Sequence, residues 1–167
     1  MRGVLLAEFK RFLQNTLGPE AWDQVVRDTA ARAEMPELVS AAAKKTGMPV
    51  PELLGKFGEF IVPDLLRVFG VFIKKSWTAL DLLENTETVI HRAVRLHDSS
   101  ARPPHLRISR SGETQVTIHY ASPRRLCAMA KGILRGIGSH YGEPLVVVET
   151  SCMHAGANAC TLVVTGS

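Results

Sequence analysis

The stretch ARPPHLRISRSGETQVTIHY, residues 101–120, is where the chain changes its period. Arg102-Pro103-Pro104 forbids helix, because proline lacks the amide donor and pushes the residue before it towards extended backbone. Leu106-Arg107-Ile108-Ser109 then alternates apolar with polar, and Gln115-Val116-Thr117-Ile118-His119-Tyr120 alternates again. Ser111-Gly112 between them suits a turn. Two alternating runs about a glycine turn predict a β-hairpin.

Upstream of this break the spacing is helical. Val4, Leu5, Ala7, Phe9, Phe12 and Leu13 recur on one face, and the segment stops at Leu17-Gly18-Pro19. Pro19 suits the first turn of a second helix through Trp22, Val25 and Val26. Pro36 opens a short helix through Leu38, Val39 and Ala42, which Gly47 ends. Pro51 opens another through Leu53, Leu54, Phe57 and Phe60. Beyond Pro63 its continuation (Leu65, Leu66, Val68, Phe69) is apolar on most sides, which predicts a buried and bent segment. Thr78 to Leu96 reads as one longer helix with Leu80, Leu83, Val89, Ile90, Ala93 and Val94 on its apolar side. Downstream of the hairpin, Leu126 to His140 is helical. Leu145 to Glu149 and Thr161 to Thr165 are β-branched runs about a glycine-containing loop, a second hairpin. Helices, hairpin, helix, hairpin make an α+β fold with one antiparallel sheet. We read 1–167 as a single domain, with a helical subdomain over 1–60 and a mixed one over 61–167.

The bulk composition fits that reading. The 167 residues are 46% hydrophobic and 22% charged, as in an ordinary globular domain with a real core. The net charge of +4 comes from scattered Lys and Arg in runs of no more than two, which suits an acidic small molecule and argues against nucleic acid. No run of 18 apolar residues exists, so no membrane insertion is expected. The first residues lack a signal-peptide pattern, and a cytoplasmic location is expected. No nucleophile–base pair, phosphate loop or spaced acidic pair stands out, and no enzymatic activity is expected.

Three groups of residues carry chemistry. His91 lies on the apolar side of the long helix, where it is either a satisfied core histidine or a metal ligand, since neutral imidazole is a common one. Tyr120, Ser122 and Arg124 alternate, so in extended chain they point the same way and offer a phenol, a hydroxyl and a guanidinium to a carboxylate. Cys127, Cys152 and Cys160 are too few and odd in number for a disulfide scaffold. With His154 they make a Cys…Cys-x-His…Cys set sufficient for a tetrahedral zinc site; the alternative is three buried thiols acting as small apolar residues. His97, His105, His119 and His140 receive no role, Trp22 and Trp77 read as core, and Glu84, Glu87 and Lys74-Lys75 read as solvated faces.

Tyr120-x-Ser122-x-Arg124, followed by Leu126-Cys127, Gly132 and Gly136, resembles the haem-propionate motif of H-NOX (haem nitric oxide/oxygen binding) domains. His91 stands where that family has its proximal histidine, and Pro103-Pro104 where it has a porphyrin-distorting proline. Met1-x-Gly3, Gly18-x-x-x-Trp22 and Phe57-Gly58 extend the likeness along the chain. The family differs between Trp22 and Phe57, where it usually has a longer, tyrosine-containing segment. A helix of the distal subdomain is therefore expected to be trimmed or missing.

The resemblance implies a bacterial sensor of nitric oxide, with carbon monoxide as a second possible ligand. Ferrous haem b would be ligated by His91, Tyr120, Ser122 and Arg124 would hold its propionates, and Pro104 would press on the ring. Leu5, Phe9, Met129 and Ile133 would line the distal side. Nitric oxide would loosen the His91–iron bond and release the helix that carries it. Oxygen-binding members place a distal tyrosine on the helix after the propionate motif; here that position is Met129, so no stable oxy complex is expected. Some members hold zinc through three cysteines and a histidine just ahead of the second cysteine, a position occupied here by Glu149. The fourth ligand is thus either His154 or Glu149. Family partners are signalling proteins such as a histidine kinase or a cyclic-di-nucleotide enzyme. The alternatives are a haem-independent zinc/thiol redox sensor on the same fold, or a small-molecule-binding accessory domain.

Overall fold

The computed structural model describes residues 2–30, 33–99 and 101–166. Met1 of the Met1-x-Gly3 start and the Ala31-Arg32 centre of the alanine-rich run lie outside the described residues. Helix α1 (Arg2–Leu17) ends at Gly18, whose φ of +97° is open to glycine at little cost. Helices α2 (Ala21–Arg27) and α3 (Met35–Thr46) occupy the stretch expected to lose a helix. A reciprocal capping box between Glu34 and Glu37 starts α3, and Gly47 in the left-handed region ends it. Helix α4 (Val50–Phe69) runs on through Pro63 into a 3-10 turn, Gly70–Phe72.

The long helix expected from Thr78 is helical throughout but not uniformly α. Helix α5 (Ala79–Asn85), capped by Thr78 and Asp81, passes into a π-helical stretch, Thr86–His91, and then into α6 (Arg92–His97). Such wider turns are rare and tend to fall at functional positions. The two hairpins form one antiparallel sheet in the order β1-β2-β4-β3, with β1 His105–Ser111, β2 Gln115–Ala121, β3 Val146–Ser151 and β4 Cys160–Thr165. Val116, Ile118 and Tyr120 of β2 pair with Val164, Leu162 and Cys160 of β4 and are buried with them. Helix α7 (Cys127–Tyr141) packs on α4.

The apolar side chains form two cores. One gathers Phe9, Phe12, Leu13, Val25, Leu53 and Phe57 from α1 to α4. The other gathers Val62, Leu80, Leu83, Ile118, Leu134 and Leu162 from α4, α5, α7 and the sheet. Helix α4 enters both cores, with Ile61 in the first and Val62 in the second. Its crossing with α7 is very close: a Cβ on Gly132 would lie 2.0 Å from the Gly55 carbonyl oxygen, and one on Gly58 would lie 2.2 Å from that of Met129. The expected burial past Pro63 does not occur. Val68 is 58% exposed, while Leu65, Leu66 and Phe69 are half-buried because they wall a cavity rather than fill a core.

Candidate functional site

Between the two cores lies a cavity of about 190 Å³. Its walls come from α1, α4, the 79–97 helix, the Pro103-Pro104 loop, β2 and α7. They are apolar except for Thr86, His91, Tyr120 and Arg124.

His91 ends the π-helical stretch and lines the cavity. Its Nδ1 lies 2.8 Å from Glu87 Oε2. Burial holds the ring's pKa below the usual histidine range; the Glu87 carboxylate opposes this, and the Pro104 carbonyl does so more weakly. The neutral ring is therefore favoured. An ionised carboxylate can only accept, so the proton sits on Nδ1 and Nε2 keeps its lone pair.

Tyr120 and Arg124 line the cavity and Ser122 does not. Strand β2 ends at Ala121, and a turn closed by Arg125 N–H to the Ser122 carbonyl (3.0 Å) follows it. The alternation that would aim all three side chains the same way thus stops one residue too early. Buried Ser122 instead braces the other two. Its Oγ accepts from the Arg124 amide (3.3 Å), and its side chain hydrogen-bonds the Tyr120 hydroxyl, which burial pushes above its ordinary pKa. The Arg124 guanidinium stands exposed at the rim and donates to the Arg102 carbonyl (2.6 Å).

A second cluster lies at the start of α7. Cys127 and Cys152 have sulfurs 4.0 Å apart, and Cys152 and Cys160 have theirs 3.8 Å apart. An ion held tetrahedrally with Zn–S bonds of ~2.3 Å would set its sulfurs ~3.8 Å apart. Glu149 joins them, with all four candidate ligand atoms within 4.8 Å of one another. His154 does not: its ring is exposed, with Nε2 2.9 Å from the Arg125 carbonyl oxygen. Burial pushes the Cys127 thiol up to about 12, and the neighbouring Cys160 and Cys152 add to the shift. Glu149 Oε2 accepts from Lys131 Nζ (2.8 Å).

Residues 2–149 match the family described as Haem-NO-binding. The chain belongs to that family. Solved H-NOX structures share its fold over nearly their whole length. An H-NOX protein from Shewanella oneidensis in the Fe(II)NO ligation state is 23% identical, with a TM-score of 0.89 over 100% of this chain and 99% of the other. The unliganded Fe(II) protein from K. algicida is 16% identical, with a TM-score of 0.91 over 100% and 97%. No curated protein is significantly similar in sequence.

Within this H-NOX fold, the residues singled out from sequence take distinct places. His91, Pro104, Tyr120, Arg124, Leu5, Met129 and Ile133 all line the cavity. Phe9 does not; it is fully buried in the N-terminal core, its ring edge-on to Phe57 at 5.1 Å. Helical spacing from Leu5 puts Phe9 on nearly the same face, but one turn deeper, under α4. Glu87, read as part of a solvated face, is a correction: its carboxylate meets His91, Arg95 and the Leu106 amide. Hydrogen bonds from His91 and Arg95 hold it below the usual carboxylate range against the burial that pushes it up. The four-residue interval from Glu87 to His91 was the available signal.

Proposed function

We propose that this chain is a haem-based sensor of nitric oxide. The observation that carries the reading is the single imidazole, its Nδ1 engaged by Glu87, in an apolar cavity with one arginine at the rim. That donor set fits haem b: one axial nitrogen, apolar walls for the macrocycle, and a fixed cation for its acidic edge. Bound there, haem would supply a ferrous iron able to take a diatomic gas.

The chain's own groups do the rest. Glu87 holds the proton on Nδ1 of His91, and the ring is presented from the π-helical stretch. Arg124, braced by Ser122 and Arg102, takes the propionate charge, with the Tyr120 hydroxyl beside it. Leu5, Met129 and Ile133 offer no hydrogen-bond donor, and the Tyr120 hydroxyl is engaged with Ser122. Nothing on those walls stabilises dioxygen, which favours nitric oxide and leaves carbon monoxide as a further ligand. Loss of the His91 bond would free the 79–97 helix and shift the balance between two packings of the domain. The signal would pass to a partner such as a histidine kinase or a cyclic-di-nucleotide enzyme, with the domain itself carrying no catalysis.

The Cys127, Cys152, Cys160 and Glu149 cluster favours structural zinc as a second bound metal. Its thiols would titrate on binding, and their oxidation would release the ion. A redox role independent of haem is the competing reading.

The deciding experiment is the visible spectrum of protein expressed with ample haem, reduced and exposed to nitric oxide, beside His91→Ala. A Soret band that needs His91 and moves on nitric oxide addition supports the sensor. Its absence, or indifference to His91→Ala, overturns it and transfers the weight to the cysteine cluster.

A further inference from the structure

Glu87 stands one turn before His91, within the π-helical stretch Thr86–His91. Its Oε2 accepts from His91 Nδ1 at 2.8 Å and from the Leu106 backbone N–H at 3.2 Å; its Oε1 accepts from Arg95 Nη2 at 2.5 Å. One carboxylate thus ties the π-helical turn to α6 and to the first residues of β1. The side chains of Glu87 and His91 are only 22% and 14% exposed, so water competes weakly for these bonds.

Three consequences follow from elementary chemistry. A carboxylate cannot donate, so the neutral ring it faces carries its proton on Nδ1 and not on Nε2. The short bond, with Leu106 fixing the same oxygen, leaves the imidazole plane little freedom to rotate. Partial transfer of the Nδ1 proton's charge to the carboxylate raises the basicity of Nε2, as outer-shell carboxylates do for metal-bound histidines. Arg95 works against that last effect by drawing charge towards Oε1, so the ligand is tuned between two neighbours.

We propose that Glu87 is a positioning residue: it selects the Nδ1–H tautomer of His91, fixes the ring, and sets how firmly Nε2 holds the iron and how readily it lets go. The tautomer rests on the chain alone; the grip on iron rests on the haem-sensor reading above. The function assigned to Glu87 is therefore regulatory. A carboxylate behind the ligand resists the loss of His91 that nitric oxide drives, and its removal makes that loss easier.

The experiment has two arms on the full chain, with Glu87→Gln and Glu87→Ala beside the wild type. In the first, imidazole nitrogen chemical shifts report the His91 tautomer without haem. The Nδ1–H form in the wild type and a tautomer mixture in Glu87→Ala support the proposal; the Nε2–H form in the wild type overturns it. In the second, haem-loaded protein is followed by the iron–histidine stretching band and by the rate of haem loss to an acceptor. Glu87→Gln keeps the size and an acceptor oxygen but removes the charge. The band is expected at lower frequency in both variants, with haem lost about 10–100-fold faster in Glu87→Ala. A band and a loss rate equal to the wild type in both variants overturn the proposal, because a merely structural tie to Leu106 and Arg95 would leave them unmoved. A wild type that takes up no haem overturns the sensor reading, and the tautomer then decides the fate of Glu87.

Discussion

If the chain prefers nitric oxide as proposed, Met129 is the residue at which that preference would be reversed. It lines the cavity from the first turn of α7 among apolar neighbours, so a donor placed there would act in a dry site, where a hydrogen bond is worth ~1–3 kcal/mol. Met129→Tyr is expected to give the reduced protein an oxygen complex that persists in air, with affinity raised roughly 10–100-fold over the wild type at 1.4 kcal/mol per decade. Absorption spectra of reduced protein opened to air read this directly, and rapid oxidation of Met129→Tyr with no oxy species would refute it. Cys127 supports a second expectation. It is 3% exposed and its thiol is pushed up to about 12, whereas Cys152 is half-buried. Only thiolate alkylates, so metal-free protein near neutral pH should label at Cys152 well before Cys127. Peptide mapping after brief iodoacetamide treatment tests the order, and early labelling of Cys127 would contradict the packing of the cluster. His91, Tyr120 and the cysteines were legible in the sequence because their chemistry is rare. Glu87 was not, because a glutamate on a helix is ordinarily solvated, and only the fold brings β1 and Arg95 to its carboxylate.

At the scale of elements, the α4–α7 crossing is the tightest joint in the molecule. Gly58 on one helix and Gly132 on the other let the backbones approach until no Cβ fits at either. Gly132→Ala would set a methyl 2.0 Å from the Gly55 carbonyl oxygen, which neither backbone can yield locally. The helices must move apart and loosen both cores, at the upper end of the ~1–3 kcal/mol typical of overpacking. At about 2–4 °C per kcal/mol for a domain of this size, the melting temperature should fall by roughly 6–12 °C. Gly70→Ala is the control, since a Cβ there meets nothing within 4 Å and the backbone is right-handed; it should melt within a degree or two of the wild type. Equal melting of the two variants would mean that the crossing is looser than described. The helices and both hairpins were readable from periodicity and turn residues, since each element's pattern is local. Three things were not. The π-helical stretch breaks the helical count by a fraction of a turn that no apolar spacing records. The exposure of Val68 depends on a cavity that local pattern does not encode. The end of β2 at Ala121, which turns Ser122 away from the cavity that Tyr120 and Arg124 line, depends on a turn at Pro123 that the alternation hid.

For the whole molecule, two cores raise the question of whether the chain unfolds as one body. Helix α4 answers it: Ile61 belongs to the first core and Val62 to the second, and Ile133 of α7 packs against both. Neither core can lose α4 without exposing the other, so opening one removes the support of its neighbour. The two tryptophans divide between the cores, Trp22 beside the first and Trp77 beside the second. Single-tryptophan variants, Trp22→Phe and Trp77→Phe, therefore report each core separately. In urea the haem-free protein is expected to give coincident midpoints for the two, once each variant's own stability is matched by circular dichroism. A Trp22 midpoint clearly below that of Trp77 would mean that α1 to α3 peel away first and that α4 does not couple the cores. Haem, seated between the cores, would bind only the folded chain. At a thousandfold excess over its dissociation constant it should add ~4 kcal/mol, moving both midpoints upward together. Movement of the Trp77 midpoint alone would place the bound group on one core rather than between the two, against the cavity that Leu5 of α1 shares with His91.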